Sequence, residues 1–378
     1  MNVRTDDLKK ALAVVKTAVN HSATLQILSF IKLKIVAGRM EVVATNLETV
    51  AVAYVSVQGD QQADEIVVPA RAFTEWVALC DAPDIQLDFY DSEPLLSAKS
   101  GISRARFIGK RPDLFPAVPT LPTDMVPLSA PLLHKLLTSV IFCAGEEGAL
   151  LSGIQIRMWN DTLTMAATDG FALAEVQVQG AGAGEFNVVL PVGALRSLYT
   201  LVNHTSGELM MGYRDMGEKD LSRVFFADDD EGSYLGIGVR ENFPDYSHIW
   251  GQTNGCVVKV NNDLLQGARR IAYVVSDDIT DSRLSLQLTP EGDGLGVGTD
   301  RTNYAAVTEV EADVQGAMDG ERKTVRLNTR YVGGITKAWG NSRLRITMNS
   351  AREPVHFSPD LSDERMKARY VVMPMAYK

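Results

Sequence analysis

Three consecutive carboxylates, Asp228, Asp229 and Asp230 in the stretch ADDDEG, are the side chains best suited by type to hold a divalent cation, since hard cations take several oxygen ligands. Such a centre would make the protein a metal-dependent nuclease or hydrolase. The trio stands between alternating apolar stretches, however, where an exposed loop is the favoured reading. Other chemistry is thin. His21, His134, His204, His248 and His356 are scattered, with no HExxH or comparable pairing. Cys80, Cys143 and Cys256 form no CxxC, which argues against a zinc knuckle or a disulfide framework and for small buried hydrophobes. GAGAGEF from Gly180 lacks the Lys-Ser/Thr of a phosphate loop and leads into a strand, so it reads as a hairpin loop. The leading reading therefore has no catalytic residue, no metal and no cofactor.

Thr168-Asp169-Gly170 could suggest a catalytic aspartate, but equivalent turns recur at Asn46 and Asp300, and recurrence is the mark of a turn. Three long segments share one order of features. Each opens with an amphipathic helix behind a capping-type residue, at Thr5, Ser129 and Asn261, as in the spacing of Leu8, Leu12, Val15 and Val19. A pair of alternating strands follows, ending at the Thr-polar turn, and then a strand-to-helix step such as IVVPARAFTEWVALC, where Pro69 and Pro191 suit a first helical turn. More strands close each segment at Phe115-Pro116, Phe243-Pro244 and Met373-Pro374. Thr45 and Thr168 are 123 residues apart and Pro244 and Pro374 are 130 apart, against 126 for a third of the 378-residue chain. The expectation is an α+β protein of three repeats, 1–122, 123–251 and 252–378, each with two helices covering a mostly antiparallel sheet of about eight strands.

Composition agrees with a packed protein, at 46% hydrophobic and 22% charged residues. The N-terminus MNVRTDDLKK lacks a signal peptide's apolar core, and no run of about 18 apolar residues occurs, so a cytoplasmic protein with no membrane partner is expected. The net charge of −10 argues against nucleic acid only if it is evenly spread. It is not. The six helical windows carry ten bases, Lys9, Lys10, Lys16, Arg71, Lys135, Arg196, Arg269, Arg270, Arg330 and Lys337, against four acids, Asp6, Asp7, Glu75 and Asp263. A surplus of six on the helices leaves −16 for the rest. Equivalent helices lining one surface would make a basic face on an acidic protein, suited to a phosphate backbone. Solvated Lys and Arg on good helix formers would give the same count. No reader of base edges is evident, so DNA contact should lack sequence preference and depend strongly on salt.

TLQILSFIKLKI near the start, LLSGIQI from Leu150, AATDGFALA from Ala166, ENFPDYSHI from Glu241 and YVVMPM from Tyr370 stand in the order and spacing of one family. Along its whole length the chain resembles the bacterial sliding clamps, the beta subunits of DNA polymerase III. The resemblance implies a non-enzymatic processivity factor: three like domains per chain and a head-to-tail homodimer closed into a ring, its helices facing a hole that duplex DNA threads. It further implies a cleft between repeats 2 and 3 where short peptides of the replicative polymerase, the clamp loader and repair proteins dock. Carried over residue by residue, the cleft comprises Leu151, Thr168, Gly170, Phe171, Leu173, Pro244, His248, Val371, Val372, Met373, Pro374 and Met375. Methionines beside a proline make an adaptable apolar surface; the same tail read alone is an ordinary terminal strand. Departures are specific. Phe171-Ala172 stands where the family often has His-Arg, His248 where an Arg is usual, Gly148 in place of a base, and Ala376-Tyr377-Lys378 where a basic-apolar pair is common. A less basic pocket should favour acidic partner residues less.

Overall fold

The computed structural model describes residues 1–59, 65–90, 94–146, 149, 151–182, 184–205, 207–217, 221–230, 232–240, 243–250, 255–274, 285–301 and 304–376, without the side chains of 268, 269, 271–274, 285, 299–301 and 304–306. Within them lie six α-helices and 24 β-strands, two helices and eight strands in each stretch 1–122, 123–251 and 252–378. The fold is α+β, as the repeats imply. The helices are α1 (Thr5–Val15), α2 (Ala70–Ala78), α3 (Ala130–Val140), α4 (Leu195–His204), α5 (Asn262–Val274) and α6 (Thr329–Trp339).

Compactness divides the chain inside the second repeat. One unit is Met1–His134 with Gly193–Arg240, and the other is Lys135–Val192 with Glu241–Lys378. Each holds a 12-stranded sheet whose strand pairs are all antiparallel. The same join makes both sheets. In the first unit the strand after the Thr45 turn, Thr49–Gln58, pairs with Tyr234–Gly238, which ends the second repeat's strands. In the second unit the strand after the Thr168 turn, Ala172–Gln179, pairs with Met366–Val372, which ends the third's.

Helix amphipathicity is as the spacing predicts for α1, which buries Leu8, Leu12 and Val15, although Val19 falls beyond its end and is half-buried. The starts differ. Thr5 does not cap α1: it is the first helical residue, and its hydroxyl donates to the Ala82 carbonyl at 2.5 Å, because a backbone acceptor beside the sheet outcompetes a solvated cap. Asn328 does cap α6, accepting from Arg330 N at 2.9 Å. Helix ends are tied across helix pairs: Lys9 of α1 donates to Cys80 O at 2.8 Å beyond α2, and Gln266 of α5 donates to Thr336 O at 2.8 Å in α6.

Candidate functional site

Two of the Thr-polar turns are built alike. In the second repeat Thr168 Oγ1 donates to Ala172 O at 2.8 Å and accepts from Gly170 N at 3.1 Å. In the first, Thr45 Oγ1 donates to Thr49 O and accepts from Leu47 N, both at 3.0 Å. The next side chain closes the loop in each: Asn46 Oδ1 accepts from Thr49 N at 2.6 Å, and Asp169 Oδ1 accepts from Phe171 N at 2.9 Å and Ala172 N at 3.0 Å. The Asp300 counterpart has side chains outside the described residues.

Around the second turn, the sheet register sets Leu173 against Val371 and Ala172 against Val372. Leu173 and Val371 are buried in a cluster with Ala166 and Tyr246, on which Phe243, Ile249 and Trp250 pack. Pro244 and His248 are exposed on the segment that carries Tyr246. Leu151 lies over Gly170. Met373 N donates to Phe171 O at 2.8 Å, which continues the pairing one residue past the strand. Both side chains stay outside, Phe171 at 67% exposure and Met373 at 42%. Met375 N then donates to Arg326 O at 2.8 Å, so Pro374 and Met375 line a separate hollow with Asp319–Arg322 and Ser350–Arg352. Thus Leu151, Thr168, Gly170, Phe171, Leu173, Val371, Val372 and Met373 gather at one turn, with Pro244 and His248 on the neighbouring segment and Pro374 and Met375 leading away. Gly148 lies outside the described residues.

Sequence reading missed the polar side of this region. Tyr331 of α6 donates to Asp169 Oδ2 at 2.5 Å. Burial, and then the bond to Asp169, push that phenol's pKa upward, so it remains a donor throughout the ordinary pH range. Glu175, 2% exposed, is paired with Arg369 at 2.6 Å, and that guanidinium lies 4.1 Å from the Trp250 ring centre. Only the separation of Asp169 from a tyrosine some 160 residues on, at an equivalent helix start, could have hinted at the first of these.

The first turn is braced by other partners. Gly238 N donates to Glu48 O at 2.7 Å, so Gly238 stands where Met373 stands in the second unit. A Cβ there would collide with the side chain of Leu221. Buried Arg223 donates to Leu47 O at 3.2 Å and Glu48 O at 3.1 Å. A leucine and an arginine of the chain itself thus pack on this turn, while Leu47 and Glu48 stay exposed.

Of the ten helix bases, Lys10, Lys16, Arg71, Arg196, Arg270, Arg330 and Lys337 are exposed, and the Arg269 side chain lies outside the described residues. Arg71 is paired with Glu75 at 2.9 Å, and Arg330 donates to Ala144 O at 3.2 Å. Lys9 and Lys135 are half-buried, spent on the Cys80 and Ala338 carbonyls. Lys135 also sits 4.1 Å over the Trp339 ring, and burial lowers its pKa. At Asp228 the carboxylate is turned inward: Oδ2 accepts from Thr205 at 2.7 Å and Oδ1 from Asp230 N at 2.9 Å. Among the described residues no group of three His, Cys, Asp or Glu is placed to hold a metal.

A sequence profile described as "DNA polymerase III beta subunit, N-terminal domain" matches residues 1–119. The beta sliding clamp of Synechococcus elongatus is 29% identical over 98% of this chain and 98% of its own. Over nearly its whole length the chain is similar to bacterial beta sliding clamps. Another clamp, from Pseudomonas aeruginosa, is 23% identical over 99% of this chain and 98% of its own. Solved beta subunits share the clamp fold: that of Thermotoga maritima has a TM-score of 0.85 at 20% identity over 100% of this chain and 99% of that one, and that of Bacillus subtilis 0.86 at 18% over the same shares.

Proposed function

We propose that this protein is a DNA polymerase processivity factor that closes as a head-to-tail homodimer into a ring around duplex DNA and tethers partners through the Phe171–Met373 cleft. As a sliding clamp it is a non-catalytic subunit that works with DNA and polymerase. The metal-dependent hydrolase reading has no support from the family, nor from Asp228, whose oxygens serve internal bonds.

The observation that carries the ring is an incomplete pairing rule. The strand after the turn pairs with the last long strand of the following repeat twice, at Thr49–Gln58 and Ala172–Gln179. The third such strand, Tyr304–Gln315, has no such partner among the described residues, and neither does Ser103–Ile108, which ends the first repeat's strands. A second copy, turned head to tail, satisfies both edges at once and removes the exposed strands that invite aggregation. The edges are complementary: Arg104, Arg106 and Ile108 are exposed on one, Val307, Glu309 and Glu311 on the other. Domains 1–122, 123–251 and 252–378 are then the ring's six arcs, three per chain. The exposed helix bases supply weak backbone contacts, since threading rather than affinity keeps such a ring on DNA. The same cleft would receive polymerase, clamp-loader and repair peptides in the cytoplasm. No described helix is long and apolar enough to cross a membrane.

Retention on nicked circular DNA tests threading. A ring is lost on linearisation, whereas an ordinary binder is retained, and that second result would overturn the proposal. Sedimentation tests the joint: Arg104→Glu with Arg106→Glu should give monomer, and adding Glu309→Arg with Glu311→Arg should restore the dimer.

A further inference from the structure

The two comparable turns differ in how they are held from outside. In the first repeat the turn residue is an asparagine, whose single side-chain oxygen is used within the turn, and Arg223 grips the carbonyls at 47 and 48. In the second repeat the residue is an aspartate. One oxygen does the work of the asparagine, and the other is free to take a donor from a different element, the Tyr331 hydroxyl at 2.5 Å. Tyr331 is 6% exposed and fixed in α6, whose start is capped by Asn328. The chain of bonds is continuous: Tyr331 holds Asp169, Asp169 holds the amides of Phe171 and Ala172, and Phe171 O holds Met373 N at 2.8 Å. It ends at the two exposed apolar side chains of the cleft.

We propose that Tyr331 is a positioning residue of the peptide cleft, and that its bond to Asp169 sets the Phe171 ring beside Met373 as a preformed apolar lip. The inference rests on the cleft reading above. An exposed phenylalanine in a loose turn would have to be ordered each time a peptide binds, and ordering a side chain and its loop detracts from affinity. A carboxylate already bonded on both oxygens removes that cost, because charge-assisted hydrogen bonds are the strong ones. Tyr331 need not touch the peptide for this.

Two readouts test it on the full-length protein. In the first, amide hydrogen exchange is measured without any peptide. Phe171 and Ala172 should be protected in the parent chain and exchange about tenfold faster in Tyr331→Phe, which loses only the hydroxyl. Unchanged exchange overturns the latch whatever the cleft does. In the second, a fluorescein-labelled short peptide with adjacent Leu and Phe anchors is titrated by anisotropy. Tyr331→Phe and Asp169→Ala should weaken it about tenfold, while Asp169→Asn, whose Oδ1 still accepts from the amides and whose Nδ2 can donate to the phenol oxygen without the charge, should fall between the parent and Asp169→Ala. Equal affinity in Tyr331→Phe, or an Asp169→Asn as weak as Asp169→Ala, refutes the positioning role. A peptide that the parent chain itself ignores, with the exchange pattern as expected, would instead refute the cleft reading.

Discussion

At the scale of single residues, the Phe171 turn is apolar on its open side and polar behind. Phe171 and Met373 present their side chains to solvent while their backbones are bonded to each other. A charge there should therefore affect binding and spare folding: Met373→Glu is expected to weaken a clamp-binding peptide at least tenfold by anisotropy, with the melting temperature unchanged within about 2 °C. His356 gives a different signal. Burial lowers its pKa, so the folded chain resists a proton that the unfolded chain accepts. Stability should be level above about pH 6.5, where both states are neutral, and decline as pH falls below it. His356→Thr should flatten that decline in thermal melts run at successive pH values. That these residues would gather at one turn was legible in the sequence because Thr-Asp-Gly and the tail are short and specific. Tyr331 was not, since nothing local to Asn328-Thr329-Arg330-Tyr331 reveals which distant carboxylate its hydroxyl meets.

At the scale of elements, periodicity carried most of the information. Alternating strands and i, i+4 helices gave two helices and eight strands per repeat because burial of one face imposes those periods directly. Helix ends were harder to read. Thr5 has the chemistry of a cap yet donates to Ala82, and Lys9 and Lys135 have the chemistry of phosphate contacts yet close the ends of other helices. Both outcomes depend on a neighbour supplied by the fold. One helix position shows how strongly packing can override propensity. Gly334, inside α6, lies against the Phe142 ring so closely that a Cβ has no room. An exposed Gly→Ala change in a helix stabilises by about 1 kcal/mol. Gly334→Ala should instead destabilise by about 1–3 kcal/mol in urea unfolding, from overpacking, and the opposite sign would show that Phe142 can turn aside.

At the scale of the whole molecule, the helix bases stand out against the net charge. Seven of the nine helix bases whose side chains are described are exposed, on a chain whose net charge is −10. A ring held on DNA by topology should keep its grip on closed circles from about 50 to 500 mM salt, while binding to short linear duplexes falls off steeply over the same range. Loss of circle retention in step with linear binding would mean that bases, not closure, hold the DNA.

The braced turn of the first repeat has a consequence for traffic. On the cleft reading, the turn that Leu221 and Arg223 pack against is no peptide seat, and a peptide is received at the Phe171 turn. Calorimetry with a saturating peptide should give one equivalent per chain. A dimer would then have two seats for all its clients, and a second client arriving at an occupied seat must wait for the first to leave. Exchange of partners becomes a matter of residence time, set by how fast a peptide lets go of the Phe171 lip.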